Sequence, residues 1–438
     1  MKLSSILGLN ARTKLYSYPY NTKKGKRIAA SKLLTAKVLK KAEIPTPTIY
    51  AKFKSPSDVF SFDWESIPGA FAIKPSKGFG GEGIIVIKKK VKTKDGSVYW
   101  VTTQRKRMIV SDFQLHVMDI LEGAFSYGNI PDVAFIQEYV GRDKAFRKYA
   151  YRGTPDIRII VFNKVPVMAM LRLPTKDSGG RANLHQGAIG VGIDIATGIT
   201  TKAVMYGQPI KFKPGTKRKL HGIKIPYWDK ILDIAVKCQE VSKLGYLGAD
   251  IVIHPEKGPM VLELNSMPGL AIQLANQAGL KRRLDRVDEL KVRNAEHGVN
   301  IAKALFSEYF SEKVLKKDKE VISALEEIAI KSSKRKKVKV LAKIDTGAWR
   351  TSIDVKLAKE LNLIRPENII KKRTVQSALG VQEDRPIIVF TYWLKGKKIT
   401  TMAGVTDRKN LKRKVIIGRK DLAGFLVKPR IDVDKKKE

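Results

Sequence analysis

Two long apolar strand pairs constrain most strongly what this chain can fold into. The segment PDIRIIVFNKVPVMAMLRLP predicts a hairpin that turns at Asn163 and Lys164, and GADIVIHPEKGPMVLELNS predicts a second one that turns near residues 256–258. Apolar residues with helical spacing occur at 28–39 and again around Cys238. Strands and helices are therefore mixed along the chain, and we predict an α+β fold.

Polar residues on the second hairpin fit a magnesium site. Alternation along a strand places Glu263 and Asn265 on one face of MVLELNS, and Asp250 lies on the preceding strand. Mg²⁺ prefers oxygen ligands, and nucleotide phosphates can supply the remaining positions. The alternative is a strand with solvent-facing polar residues, which E-x-N by itself favours. In the context of the phosphate loop described next, we interpret Asp250, Glu263 and Asn265 as metal ligands.

A glycine-rich turn between two earlier strands fits a phosphate-binding hairpin. The strands FAIKPS and GIIVIKKK flank KGFGGEG, and the N–H groups near Gly80 and Gly81 can approach phosphate oxygens because glycine has no Cβ. The ammonium of Lys74, on the first of these strands, can meet the same phosphates. The Walker pattern G-x-x-x-x-G-K-[ST] is absent, which argues against a P-loop fold.

With these motifs, about the first 300 residues resemble the ATP-grasp superfamily, and within it the RimK-related alpha-L-glutamate ligase-like proteins. The resemblance is carried by KLLTAKVLKKAEIPTP, FAIKPSKGFGGEGI, PDIRIIVFNKVPVMAMLRLPT, RANLHQGAIGVGIDIATG and LGYLGADIVI. It implies an ATP-grasp fold, in which two α/β subdomains clasp ATP, with Mg²⁺ or Mn²⁺ as the metal. The residues it implies are Lys74 and Lys32 on the phosphates, Gln137, Glu138, Tyr139 and Val140 at the adenine and ribose, Arg172 as a catalytic residue, and Arg181 and Asn183 assisting it.

The resemblance also implies the reaction. A substrate carboxylate attacks the γ-phosphate to form an acyl-phosphate, and an amine then displaces phosphate to form an amide. The implied partners are an amino-acid donor, glutamate in the named family, and an acidic peptide, protein or small-molecule acceptor. Asp156 and Arg158 lie on one face of their strand, and they either orient the substrate or form a structural ion pair.

The C-terminal part has a different motif, D-T-G at 345–347 after an apolar strand, followed some 70 residues later by VIIGR. These segments resemble the retropepsin-like fold of the family named ATP-dependent zinc proteases, which implies Asp345 as a catalytic carboxylate. An aspartic protease needs two carboxylates that share a proton, so activity would require a homodimer, and we expect a homo-oligomer. The alternative, which we favour slightly, is a turn capped by Asp345 in a peptide-binding or structural domain. The five histidines lie outside this part and form no H-E-x-x-H, so we predict no zinc site.

Composition shifts suggest four segments. We predict an N-terminal segment at 1–26, an ATP-grasp ligase domain at 27–315, a basic linker at 316–337 and a small all-β retropepsin-like domain at 338–438. Residues 280–330 are predicted to be helical and charged.

Net charge, cysteine content and hydropathy limit the partners and the cellular location that we expect. Lys and Arg exceed Asp and Glu by 43, which fits either a generally solvated lysine-rich surface or a patch for acidic partners, and no RNA-binding motif supports nucleic acid. A single cysteine, Cys238, excludes a disulfide framework and is expected to be buried. We find neither a signal peptide nor a spanning segment, so we expect a cytoplasmic protein with no membrane partner.

Overall fold

The computed structural model describes residues 5–67, 69–78, 80–307, 320–333, 336–366, 368–376, 382–408 and 412–428. The chain divides into two units, Met1–Ile193 with Gly198–Leu284, and Asp194–Thr197 with Asp285–Glu438.

The first unit begins with a run of short helices. They are α1 (Leu9–Ala11), a π-helical stretch Arg12–Ser17, α2 (Tyr18–Tyr20), α3 (Lys23–Ala29) and α4 (Lys32–Lys41). The helical spacing predicted at 28–39 is thus divided between α3 and α4. Ser31 separates them because its backbone is extended and its Oγ caps α4, accepting from the N–H of Leu34 at 3.2 Å.

The first sheet of this unit is antiparallel. Its elements are β1 (Ile49–Phe53), α5 (Pro56–Phe60), a 3₁₀ turn Trp64–Ser66, β2 (Phe71–Pro75), β3 (Ile85–Lys92), β4 (Val98–Thr102), β5 (Arg107–Met108), α6 (Val110–Leu121), a 3₁₀ turn Tyr127–Asn129 and β6 (Ala134–Glu138). The strands lie in the order β1-β6-β2-β3-β4-β5. Phe71, Trp100 and Phe113 form its fully buried aromatic centre, where α6 packs on the sheet.

The second sheet of the first unit contains both predicted hairpins. Its elements are β7 (Asp156–Phe162), β8 (Val165–Leu173), a 3₁₀ turn Leu184–Gln186, β9 (Ile189–Ile193), β10 (Thr200–Met205), β11 (Gln208–Ile210), α7 (Trp228–Ser242), β12 (Tyr246–His254), β13 (Gly258–Asn265), α8 (Ala271–Asn276) and α9 (Leu280–Asp285). The order β11-β10-β9-β8-β7-β12-β13 places the hairpins side by side. Asn163 and Lys164 both have positive φ, as a tight two-residue turn requires. Cys238 of α7 is buried, as expected.

The second unit is mainly β. Its elements are α10 (Ala295–Leu305), β14 (Glu320–Ser323), β15 (Leu325–Lys331), β16 (Lys337–Asp345), β17 (Ser352–Asp354), α11 (Val355–Glu360), β18 (Ile369–Gln376), β19 (Gln382–Leu394), β20 (Lys397–Thr406), β21 (Val415–Gly418) and β22 (Phe425–Lys428). The strands are ordered β15-β16-β21-β17-β20-β19-β18, and β15 also pairs with β19, which closes six of them into a barrel. A separate parallel pair joins β14 to β22.

The helical prediction for residues 280–330 is wrong at its C-terminal end. Residues 320–331 form β14 and β15, and their burial alternates in the pattern of a half-buried strand, with Ile328 and Ile330 in the barrel core. The abundance of Lys and Glu suggested a charged helix, but pairing with β16 and β19 decides the conformation. Residues 308–319 lie outside the described part of the chain.

Across the described ranges, no helix is both long and apolar enough to span a bilayer.

Candidate active site

A cavity of about 460 Å³ opens between the two sheets of the first unit. The first sheet contributes β2, β3 and the loop at 78–81, and the second contributes the ends of β7, β8, β12 and β13 together with the loop at 179–185. One part of its wall is apolar and the other is crowded with charges. The residues of the apolar part are Ala72, Ile84, Val86, Tyr139, Val140 and Leu262.

The three residues interpreted as metal ligands lie together on the charged wall. Register places Asp250 of β12 directly opposite Glu263 of β13. The Asn265 amide donates to Asp250 Oδ2 at 3.3 Å. Alternation along β13 places Glu263 and Asn265 on one face, but the pairing with Asp250 depends on a β-bulge at Leu262, because the register set by the turn would place Leu262 opposite Asp250.

Two arginines bind the same carboxylate. Arg158 donates from Nε and Nη2 to the two oxygens of Asp250, at 2.7 and 2.6 Å. Arg172 donates to Asp250 at 2.8 Å and also holds Asp156 in a two-bond fork, at 2.5 and 2.7 Å. Asp156 and Arg158 therefore do not form the direct ion pair that was one of the two interpretations. Each pairs across the sheet, Asp156 with Arg172 and Arg158 with Asp250.

The charges of this cluster shift its pKa values in opposite directions. Burial raises the pKa of Asp250, but Arg158 and Arg172 outweigh it and hold that pKa well below its usual range. Burial and the neighbouring charge of Asp250 raise the pKa of Glu263. Burial likewise raises the pKa of Asp156 to about 6, although Arg172 opposes the shift. Glu263 thus has less cationic compensation than Asp250, and its Oε1 lies 3.9 Å from Arg158 Nη2.

The two predicted phosphate-binding lysines face this acidic wall. Lys74 of β2 donates to Gln137 Oε1 at 2.7 Å, and Lys32, the first residue of α4, donates to the Gly78 carbonyl at 2.5 Å. Burial and the charge of Lys32 lower the pKa of Lys74 to about 8, while Glu263 opposes that shift. Two ammonium groups held close together at low exposure favour a polyanion between them.

Two glycine-containing loops meet at the cavity. Asn183 Nδ2 donates to the Gly80 carbonyl at 3.2 Å, which joins the loop after β2 to the loop after β8. Gly80 and Gly81 have φ values of +66° and +80°, conformations that suit glycine. Arg181 lines the same cavity. The residues predicted on both loops are therefore brought together, although their spacing of some hundred positions could not indicate a contact.

The four residues predicted at the adenine and ribose divide into two groups. Tyr139 and Val140 line the apolar part of the cavity. Gln137 is not among the lining residues, because its buried amide bonds to Lys74 and to the Pro47 carbonyl. The Glu138 carboxylate is also bound, by the Thr48 N–H and by Lys257.

Glu138 joins the two sheets. Its carboxylate accepts the N–H of Thr48 at 3.0 Å and pairs with Lys257 in the β12–β13 turn. Burial raises its pKa, but Lys257 and the Thr48 N–H outweigh this and lower it. Glu138 also lines the cavity, and these contacts fix its carboxylate there. The pairing with Lys257 was not recognisable in the sequence, whereas Ile84 and Val86 could have been found from alternation along GIIVI.

Asp345 lies in the second unit, at the end of β16. Its Oδ1 accepts the N–H groups of Gly347 and Ala348 at 2.9 and 3.0 Å, the geometry of an aspartate-capped turn. Sequence reasoning overlooked a second carboxylate, Asp421, which accepts hydrogen bonds from Thr351, just after this turn, and from Thr401. Burial raises the pKa of Asp421.

The donor set of the cavity suits Mg²⁺ bound together with a phosphate. No cluster of three or more His, Cys, Asp and Glu side chains that could hold a metal occurs in the described ranges. Glu263, whose Oε1 lies 3.9 Å from Arg158 Nη2, and Asn265 offer oxygens, and Asp250 offers one only if an arginine yields it. Mg²⁺ typically uses one or two carboxylates and takes its other ligands from water and phosphate. The raised pKa of Glu263 is the feature that a cation would relieve.

Comparison with solved structures finds ATP-grasp enzymes at low similarity. The ATP-grasp ligase PsnB with its minimal precursor is 15% identical, with 61% of this chain covered, 62% of that chain covered and a TM-score of 0.32. D-alanine–D-alanine ligase from Bacillus anthracis with ATP is 14% identical, with 61% of this chain and 68% of that chain covered and a TM-score of 0.34. A Legionella pneumophila protein of unknown function is 19% identical over 26% of this chain and 96% of that chain, with a TM-score of 0.19.

The family assignment rests on sequence. This chain spans about three fifths of the length of the PsnB structure that it matches. No curated protein matches the chain significantly. The family described as sugar-transfer associated ATP-grasp matches residues 11–289, which is more than half of the 438 residues and contains every residue that lines the cavity. The chain therefore belongs to the sugar-transfer associated ATP-grasp family.

Proposed function

We propose that this protein is an ATP- and Mg²⁺-dependent carboxylate–amine ligase that forms an amide through an acyl-phosphate. The observation that carries the proposal is the presence of two lysines and an acidic group of residues in one cavity. Lys32 and Lys74 line it together with Asp250, Glu263 and Asn265. A nucleotide triphosphate with a divalent cation satisfies both groups, because the phosphates bind the lysines and the cation binds Glu263.

The apolar residues that line the cavity support the binding of a purine there. Ala72, Val86 and Leu262 come from both sheets and offer flat apolar contact, and Tyr139 and Val140 follow β6 at the edge. The solved structures of PsnB with Mg and ADP, and of D-alanine–D-alanine ligase with ATP, contain the same kind of ligand. Mg²⁺, or Mn²⁺ in its place, would neutralise phosphate charge in the transition state.

The arginines suit the acyl-transfer part of the reaction. Arg172 is held in a fork by Asp156 and is fixed further by Asp250, so its guanidinium is oriented before any substrate enters. A fixed cation at low exposure stabilises negative charge that develops on an acyl-phosphate or a tetrahedral oxyanion. Arg181 and Asn183, on the loop that meets Gly80, complete the phosphate side of the cavity.

The substrates are proposed at the level of class. We propose an amino acid, with glutamate as the first candidate, as one partner and an acidic peptide, protein or metabolite as the other, in a RimK-related subgroup. The large excess of Lys and Arg favours acidic acceptors. PsnB has been solved with a precursor peptide, which supports testing peptides first.

The division of the chain is part of the proposal. We assign the ligase to 27–315, after an N-terminal segment at 1–26, and a retropepsin-like domain to 338–438. In the region treated as a basic linker, 316–337, β14 pairs with β22 and β15 pairs with the barrel strand β16. Asp345 is the candidate catalytic carboxylate of that domain, and a homodimer would supply the second one.

A second candidate function is an ATP-regulated aspartic peptidase or peptide-binding protein. It is favoured only by Asp345 at the end of a barrel strand, and the turn hydrogen bonds of its carboxylate fit a structural role as well. Peptide cleavage that is lost in Asp345→Asn, with ATP turnover unaffected by amines, would support this function over ligation.

The proposed ligase is tested by release of ADP and phosphate from Mg²⁺-ATP across a panel of amino acids and acidic peptides, with product masses measured in parallel. The variant is Glu263→Ala, and the matched control is Glu327→Ala, an exposed glutamate on β15 that pairs with Lys339.

Release that requires both a carboxylate and an amine, disappears in Glu263→Ala and persists in Glu327→Ala is the expected result. Nucleotide binding without release from any pair of substrates would contradict the ligase. Full activity of Glu263→Ala would contradict the assigned metal site.

A further inference from the structure

The N-terminal helical run of the first unit leaves large apolar side chains in water. Leu9 is 64% exposed, Leu15 is 50% exposed and Tyr18 is 63% exposed. A single exposed leucine needs no explanation, but three large apolar side chains exposed within ten residues of one helical run favour burial against a partner. These three side chains are called the N-terminal patch below.

The helical run is anchored so that the patch cannot turn inward. Tyr16 is buried, and its ring packs edge-on against Phe162 at 5.4 Å. Ser17 Oγ donates to the Ser266 carbonyl at 2.9 Å, and Arg12 donates to the Pro268 carbonyl at 3.2 Å. The same residues that hold the segment on the second sheet therefore keep the patch facing outward.

The charge along the N-terminal stretch of the sequence has one sign. Eleven lysines and arginines precede Glu43, which is the first acidic residue of the sequence. Lys14 and Lys24 are exposed on the run and on α3, and the Lys26 ammonium lies 4.5 Å from the centre of the Tyr18 ring. Apolar and cationic groups thus share one surface.

The combination of exposed apolar and cationic side chains favours one kind of binding partner for the patch over the others. A second copy of the same surface would bring like charges together. Nucleic-acid phosphates would pair with the lysines but would leave Leu9 and Leu15 in water. An anionic bilayer meets both needs, since its headgroups attract lysine and arginine and its acyl boundary accepts leucine and tyrosine.

We propose that the N-terminal patch docks this protein peripherally on an anionic lipid surface. This differs from the expectation that the protein has no membrane partner. The loop bound by Arg12 and Ser17 follows Asn265 directly, and Gly269 of that loop lines the cavity. Docking therefore places the metal-binding end of the cavity near the lipid surface, where a membrane-associated acceptor would be found.

The experiment is sedimentation of the full chain with vesicles of phosphatidylcholine alone and of phosphatidylcholine mixed with phosphatidylglycerol. The test variant is Leu9→Ser, Leu15→Ser and Tyr18→Ser combined. The matched control replaces Phe60, Leu115 and Ile130, which are similarly exposed, with Ser. These lie on or near α5 and α6, where acidic residues such as Asp112 and Asp119 are present. Because all six positions are exposed, melting curves should show both variants folded.

Wild type is expected to bind only the anionic vesicles and to be released by salt. The test variant should lose at least about tenfold in partition coefficient, and the control variant should bind like wild type. Charge reversal by Lys14→Glu with Lys24→Glu should also weaken binding about tenfold or more. The proposal is overturned if wild type binds no vesicle or if the test variant binds as well as wild type. A dimer that light scattering detects in wild type and not in the test variant would also overturn it, because the patch would then be a self-interface.

Discussion

Replacing Lys74 with methionine should make the free protein more stable and at the same time remove nucleotide binding. Burial and the charge of Lys32 lower the pKa of Lys74 from 10.5 to about 8, despite the opposing effect of Glu263. A lysine whose folded-state pKa is lowered destabilises the fold wherever it is charged. At about 1.4 kcal/mol per unit of pKa, the cost near neutral pH is roughly 3 kcal/mol.

The net effect on stability is smaller than that cost. Methionine keeps the aliphatic stem but loses the hydrogen bond to Gln137, worth about 1 kcal/mol, and leaves that amide oxygen with fewer partners. We therefore expect Lys74→Met to raise the free energy of unfolding by about 2 kcal/mol near neutral pH. Between about pH 8 and 10.5 the unfolded wild type binds more protons than the folded one, so wild-type stability rises with pH and the difference should shrink.

Nucleotide binding should change in the opposite direction. Loss of a charge-assisted contact to phosphate, worth about 2–3 kcal/mol, should weaken ATP binding roughly a hundredfold. In wild type, affinity should fall as pH rises above about 8, because the protonated lysine is the form that binds.

The assays are urea unfolding across a pH series without nucleotide, and titration calorimetry with Mg²⁺-ATP. The control is Lys52→Met, an exposed lysine on β1 of the same sheet, for which neither quantity should change appreciably. If Lys74→Met is less stable than wild type and binds ATP with unchanged affinity, Lys74 is a structural residue and the reasoning is refuted.

Three further predictions address the rest of the fold. Asp250→Asn should lower the free energy of unfolding by about 3 kcal/mol, because Arg158 loses its bidentate partner, and chemical denaturation checks this against Glu240→Gln on the surface of α7. Gly153→Ala would place a Cβ 1.7 Å from the Gly180 carbonyl oxygen, so the loop at 179–183 should shift; ATP turnover should fall and proteolysis within that loop should accelerate. Burial raises the pKa of the Cys238 thiol, so it should react with a thiol reagent only at the rate of global unfolding, and fast labelling of the native protein would contradict its placement in α7.

Local patterns predicted much of the first unit. Alternation along β13 placed Glu263 and Asn265 on one face, and the turn residues Asn163 and Lys164 located the β7–β8 hairpin. These features depend on neighbours in the chain, on strand period and on turn geometry, all of which are recorded in a short stretch of sequence. The helical prediction failed at residues 320–331 because strand partners distant in sequence decided that conformation.

The sequence by itself determined which groups are available: two lysines, a carboxylate pair with an asparagine, and glycines where a loop needs positive φ. Only the tertiary structure decided which of these groups already form ion pairs with other side chains. Asp250 is bound by two arginines, Glu138 is bound by Lys257, and both Glu263 and Asp156 have a raised pKa. The physical reason is that ion pairs and desolvation depend on distances across paired strands and between sheets, which a linear pattern does not contain.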